Sequence, residues 1–306
     1  MATGIESVVL RLQGHAALSE TFLWLAVAAW GVLAAVVPMR ALHGDAAVRT
    51  SMRSPSALTA VAGTCVLGTC AVQRGWETVG GVALVVASIV WLGLQPPVWR
   101  HWATPATGAA FLTTVSAEAL AVLCAGVATT HRAPWLLGVG IALAAAGIAL
   151  YAVVLASFDS GQLLSGRGDH WVAGGALAIA ALASADLASA ARGFSWPHWI
   201  GHDIAIASAI LAGAAAAWLP LLIIGELSRP RFAYDVRRWA TVFPVAMYSA
   251  AGHAVGRVGG APALVTLARW WGWVALAVWA AVAAGMLHRG LRRAREASVV
   301  SGAAQR

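Results

Sequence analysis

The chain has 306 residues, of which 60% are hydrophobic and only 10% charged, and its mean hydropathy is +0.77. A soluble domain of this length has no use for so much apolar surface, so the composition excludes one and describes a polytopic membrane protein formed by one bundle of helices. The formal net charge of +8 is carried on arginines scattered through loops rather than gathered on one face, which excludes a nucleic-acid-binding surface.

Hydropathy marks ten candidate spans, near residues 1–12, 18–39, 56–73, 78–96, 105–126, 134–157, 171–190, 200–225, 239–256 and 264–287. The first is short: a helix needs about 20 apolar residues to cross the hydrocarbon. A half-helix, or roughly ten further apolar residues upstream of Met1, is therefore expected. Short connections predict antiparallel neighbours and an all-α fold. The whole of 1–290 reads as one transmembrane domain, and 291–306 as a basic, disordered cytoplasmic tail.

The spans alternate in kind along the chain. Even ones carry bulky apolar side chains, as in FLWLAVAAWGVL, ALVVASIVWLGL and WWGWVALAVWAA. Odd ones are small and mildly polar: ATGIES, TAVAGTCVLGTC, FLTTVSAEALAV, AGGALAIAALASAD and TVFPVAMYSAAG. Lipid tolerates large apolar side chains, whereas close-packed or water-facing helices need Gly, Ala, Ser and Thr. Five hairpins are expected, each with one inner and one outer helix, the inner five enclosing a narrow, weakly polar path. Cys65, Cys70 and Cys124 lie within apolar runs and read as small buried hydrophobes.

Arginines set the orientation. Loops after even spans, with the tail, hold Arg40, Arg49, Arg53, Arg100, Arg167, Arg229, Arg231, Arg237, Arg238, Arg289, Arg292, Arg293, Arg295 and Arg306. The opposite side holds Arg11, Arg74, Arg132, Arg192, Arg257 and Arg269. The richer side stays in the cytoplasm, so a multi-pass inner-membrane protein with both termini inside is expected.

Glu118 lies mid-span, where a carboxyl is expensive and faces a cavity or a partner. It is the candidate proton site; the alternative is a protonated acid hydrogen-bonded to a neighbouring helix. Asp186 reads as interfacial, and Glu6 falls in the short first span. His198 and His202 have i, i+4 spacing, but anchoring at the interface beside Trp196 and Trp199 explains them better than a metal. No cofactor or metal is expected. In the ninth span Pro244 follows Phe243 among Thr241, Ala246, Ser249 and Gly252. Proline removes one helical hydrogen bond, and the small residues suit a helix that faces other helices or a path between them.

WATVFPVAMYSAAG (239–252) resembles the ninth-helix signature of the tellurite-resistance/C4-dicarboxylate transporter family, which includes the plant slow anion channels and belongs to the voltage-dependent anion channel superfamily. MATGIES, TAVAGTCVLG, GDHWVAGGALAIAALASADL and AAAAWLPLLIIGE with FAYDVRRW resemble further stretches in the same order. The resemblance implies ten helices in five hairpins around a central pore, assembly as a homotrimer, and movement of small anions such as a C4-dicarboxylate, a tellurite-like oxyanion or an inorganic anion. It also implies that Phe243, beside Pro244, is the pore gate. Candidate pore-lining residues are Thr3, Gly4, Gly63, Thr64, Gly68, Ser116, Glu118, Gly174, Gly175 and Ser249. A proton-coupled carrier using Glu118 is the first rival; a membrane-embedded metal or redox enzyme using His198, His202 and His253 is the second. Partners are then the anion and membrane lipid, with no nucleic acid.

Overall fold

The computed structural model describes residues 1–165, 168–194, 196–229 and 234–303, and Arg167, Arg231 and Arg306 lie outside them. Among the described residues the helices are α1 (Ala2–Leu12), α2 (Ala16–Leu42), α3 (Ala46–Ser51), α4 (Thr59–Val72), α5 (Glu77–Arg100), α6 (Leu112–Thr130), α7 (Trp135–Ser157), α8 (Gln162–Ser165), α9 (Val172–Arg192), α10 (His198–Ser228), α11 (Trp239–Val258) and α12 (Pro262–Ala303). The last of these helices, α12, runs as far as Ala303.

Among the described residues, eight helices are long and apolar enough to cross a membrane: α2, α4, α5, α6, α7, α9, α10 and α12, where α4, α6 and α9 count with the turns that lead into them. The count of ten is not reached, because α1 has only 11 residues and α11, with 20, carries Thr241, Ser249, His253 and Arg257.

The alternation of side-chain size reappears as an alternation of burial. The apolar windows of α4, α6 and α9 are 56%, 94% and 89% buried, against 17–28% for α2, α5, α7, α10 and α12. α1 and α11 are also mostly buried. These five buried helices close a ring: α1 packs on α4, α4 on α6, α6 on α9, α9 on α11, and α11 on α1. Each exposed helix packs on the ring helix before it in the chain and also touches the next: α2 on α1 and α4, α5 on α4 and α6, α7 on α6 and α9, α10 on α9 and α11, α12 on α11 and α1.

Local chemistry sets the turns. α1 and α4 stop at Gly14 (φ +88°) and Gly75 (φ +76°), the left-handed conformation that glycine adopts at no steric cost. There His15 N–H bonds back to Leu10 O and Trp76 N–H to Ala71 O, which uses carbonyls the helix end leaves open. At the other end of the ring, α4, α6, α9 and α11 are each entered through a 3₁₀ turn: Pro55–Leu58, Gly108–Phe111, Asp169–Trp171 and Val236–Arg238. The ring helices therefore run in one direction. Arg11 at the end of α1 donates from Nε to Gln73 O at the end of α4, 3.1 Å away.

Candidate functional site

Several hydroxyls of the small-residue helices are engaged by other helices or by their own backbone. Trp30 Nε1–H on α2 donates to Thr64 Oγ1 at 2.9 Å, Trp91 Nε1–H on α5 to Ser116 Oγ at 3.1 Å, and Trp279 Nε1–H on α12 to Thr3 Oγ1 at 3.2 Å. Thr64 and Ser116 then spend their own protons on Ala60 O and Thr113 O. Ser249 Oγ–H donates to Ala268 O on α12 at 2.7 Å. A hydroxyl has one proton to give, so Thr64, Ser116 and Ser249 have none left for a passing anion. These candidate pore-lining residues pin exposed helices onto the ring. A tryptophan in mid-span rather than at the interface was the signal that could have found their partners, because a buried indole N–H needs an acceptor.

The glycines divide between contacts of different kinds. A Cβ on Gly4 would sit 2.8 Å from Val66 Cγ1, and one on Gly68 2.8 Å from both Ala83 Cβ and Leu123 Cδ2, so both let ring helices close on neighbours. Gly63 lies beside Met1. Gly174 faces Tyr248, Leu222 and Trp218, and Gly175 faces the ring of Pro244.

Glu118 is fully buried on α6, and a Cβ on Gly147 of α7 would lie 2.5 Å from its Oε1. Its carboxyl thus occupies the joint between a ring helix and an exposed helix. Neither oxygen has a hydrogen-bond partner among the described residues, and the same holds for Glu6 on α1. His198 and His202 are exposed on α10 while His253 is buried on α11. Among the described residues no three His, Cys, Asp or Glu side chains gather to hold a metal.

On α11 the partners of each face can be read in steps of 100°. Pro244 meets Gly175 of α9, Tyr248 O–H donates to Ala215 O of α10 at 2.8 Å, and Ser249 and Gly252 meet Ala268 of α12. Phe243, Met247 and Ala250, at i, i+4 and i+7, are all fully buried on this helix. Phe243 was singled out in the sequence; Met247, one turn further on, was not.

Where α4, α6 and α9 end, a cavity of about 340 Å³ opens, lined by Thr69, Gln73, Thr129, Thr130, Asp186 and Ser189 among others. No residue of α5 or α7 lines it, although those helices cover the outer side of both joints, so it lies on the inner side of the ring. Asp186, read from the sequence as interfacial, is its only charged wall residue. A second cavity of about 330 Å³, at the opposite end, lies between the turns into α4 and α6 and includes Arg53 and His101.

Residues 1–287 match the family model described as voltage-dependent anion channel. The chain is also similar to an uncharacterized membrane protein of Mycobacterium tuberculosis, strain CDC 1551 / Oshkosh, with 32% identity over 131 residues, 39% of this chain and 62% of that protein. The uncharacterized membrane protein of strain ATCC 25618 / H37Rv matches with the same identity and coverage, so in both cases the alignment spans under two thirds of the relative. No solved structure matches the chain.

Proposed function

Because the chain belongs to the voltage-dependent anion channel family, we infer that it moves small anions along the inside of the ring of α1, α4, α6, α9 and α11, with Phe243 as the gate. The family is one of membrane anion channels and transporters rather than enzymes. The observation that supports the residue-level reading is that Phe243, beside Pro244, lies fully buried with Met247 and Ala250 on α11, a helix of the ring.

In this reading ten helices form five hairpins, both termini are cytoplasmic in an inner membrane, and three copies assemble. The neck beside Phe243 and Met247 is apolar. An apolar neck blocks ions by staying dry, since an anion sheds its hydration only at high cost. Selectivity then follows from desolvation cost and neck width, which fits a C4-dicarboxylate, a tellurite-like oxyanion or an inorganic anion in different degree. The contact of Glu118 with Gly147 on α7 speaks against that carboxyl as a proton site on the path.

The test is electrophysiology on the purified chain in planar bilayers, exchanging chloride, nitrate and malate. An anion-selective current whose size depends on the anion supports the reading. A cation-selective current, or none in either the wild-type protein or Phe243→Ala, overturns it.

A further inference from the structure

The cavity at the ends of α4, α6 and α9 joins two properties that an anion path would not be expected to combine. It lies on the inner side of the ring, and its one charged wall residue is an acid. We propose that this cavity is a loading site for a small anion, and that it fills only when Asp186 carries a proton. The proposal rests on the anion-transport reading and adds where the anion first binds and what regulates it.

The wall supplies uncharged donors. Thr129 and Thr130 spend their hydroxyl protons on Ala125 O and on Gly126 O or Val127 O. The hydroxyls of Thr69 and Ser189 and the Nε2 amide of Gln73 are left as donors on the cavity wall. Asp186 makes no ion pair among the described residues and is partly exposed to the cavity. An ionised carboxylate offers only acceptors and repels an anion; once protonated it becomes an O–H donor pointing at the same space. One proton from the solvent therefore turns the strongest repulsive group of the wall into another donor.

No other titratable side chain lines the cavity to offset or share that charge. On α4's side, Arg11 of α1 is held on Gln73 O, and Arg74 at the helix end turns to Glu20, Ser7 and Ser19. On α6, Glu118 lies against Gly147, and His131 beyond its end faces Glu77 O. α7 contributes Tyr151, whose ring packs at a tilt against Phe111 near the other end of the ring of helices. α10 carries His198, His202 and Asp203 on its exposed surface, and Glu226 pairs with Arg238 at the far end of α11. α11 carries His253, Tyr248 and Arg257, and Arg192 of α9 itself donates to Val258 O.

The test uses the full chain in planar bilayers with chloride as the probe, the pH being stepped between 8 and 5 on each side in turn. Wild-type chloride current should rise on acidifying one side only, by about tenfold per pH unit while Asp186 remains mostly ionised. Asp186→Asn should carry a high current at every pH. Gln73→Glu, which adds a second acid to the same wall and leaves Asp186 in place, should cut the current at pH 8 and regain it at pH 5. A chloride current that ignores pH in the wild-type protein, a pH response that survives in Asp186→Asn, or a Gln73→Glu profile equal to wild type overturns the loading site while leaving anion transport standing. Absence of chloride current in wild type, Phe243→Ala and Asp186→Asn alike overturns the transport reading and the loading site together.

Discussion

The ring of Pro244 on α11 rests directly on the backbone of Gly175 on α9. A Cβ at Gly175 would come within 2.7 Å of Pro244 Cβ, 2.8 Å of its Cγ and 3.0 Å of its Cα. Neither side has a flexible end that could swing away. Gly175→Ala should therefore lower the thermal midpoint of the purified protein, at a cost of about 1–3 kcal/mol for overpacking. Gly213→Ala on α10, where a Cβ meets nothing within 4 Å, is the matched control and should be neutral or slightly stabilising. Equal midpoints for the two variants would show that α9 and α11 can separate without loss.

Phe243 is fully buried next to that contact. Phe243→Ala should raise basal anion current and leave cation current low, because the neck becomes wide enough to hold water. It should also reduce thermal stability, since emptying a packed aromatic site costs about 3–5 kcal/mol. Phe243→Leu should fall between the two in both measurements. A wild-type basal current from correctly assembled Phe243→Ala would make the ring a packing residue only.

Trp30 and Thr64 provide a test of how exposed helices are held. Thr64→Val leaves the Trp30 N–H unpaired and should cost about 1–3 kcal/mol, whereas in the Trp30→Phe, Thr64→Val double variant much of that loss should return. Relative permeabilities to chloride and nitrate should stay at their wild-type values in all three variants. A change in selectivity on Thr64→Val would mean that the hydroxyl reaches the path after all.

Glu118 separates structure from proton chemistry. Both its oxygens lack a partner among the described residues, so Glu118→Met, with similar volume and no polar atom to bury, should keep or raise the thermal midpoint. Glu118→Gln should retain whatever pH dependence the wild-type current has. Loss of that pH dependence in the Gln variant, with normal assembly, would return the proton site to α6.

Side-chain size along the chain was enough to tell which helices are buried. Lipid accepts Trp, Leu and Val, while a helix enclosed by others needs Ala, Gly and Ser, so TAVAGTCVLGTC and ATGIES could be assigned to the inside from side-chain size alone. The sequence also marked Phe243 and Pro244, because a proline in such a run is conspicuous without any neighbour. Which face of each buried helix meets which neighbour became visible in the packing alone. A ring helix touches two ring neighbours and two exposed helices and keeps one face inward, and successive residues turn by 100°, so one step along the chain changes the partner. Thr3, Thr64 and Ser116 look like wall residues in sequence, yet their acceptors are taken by Trp279, Trp30 and Trp91 from other parts of the chain. Asp186 looks like an interfacial acid, yet it lines a cavity whose other walls come from α4 and α6. Those pairings depend on contacts between residues far apart in the chain, which local composition and period do not encode.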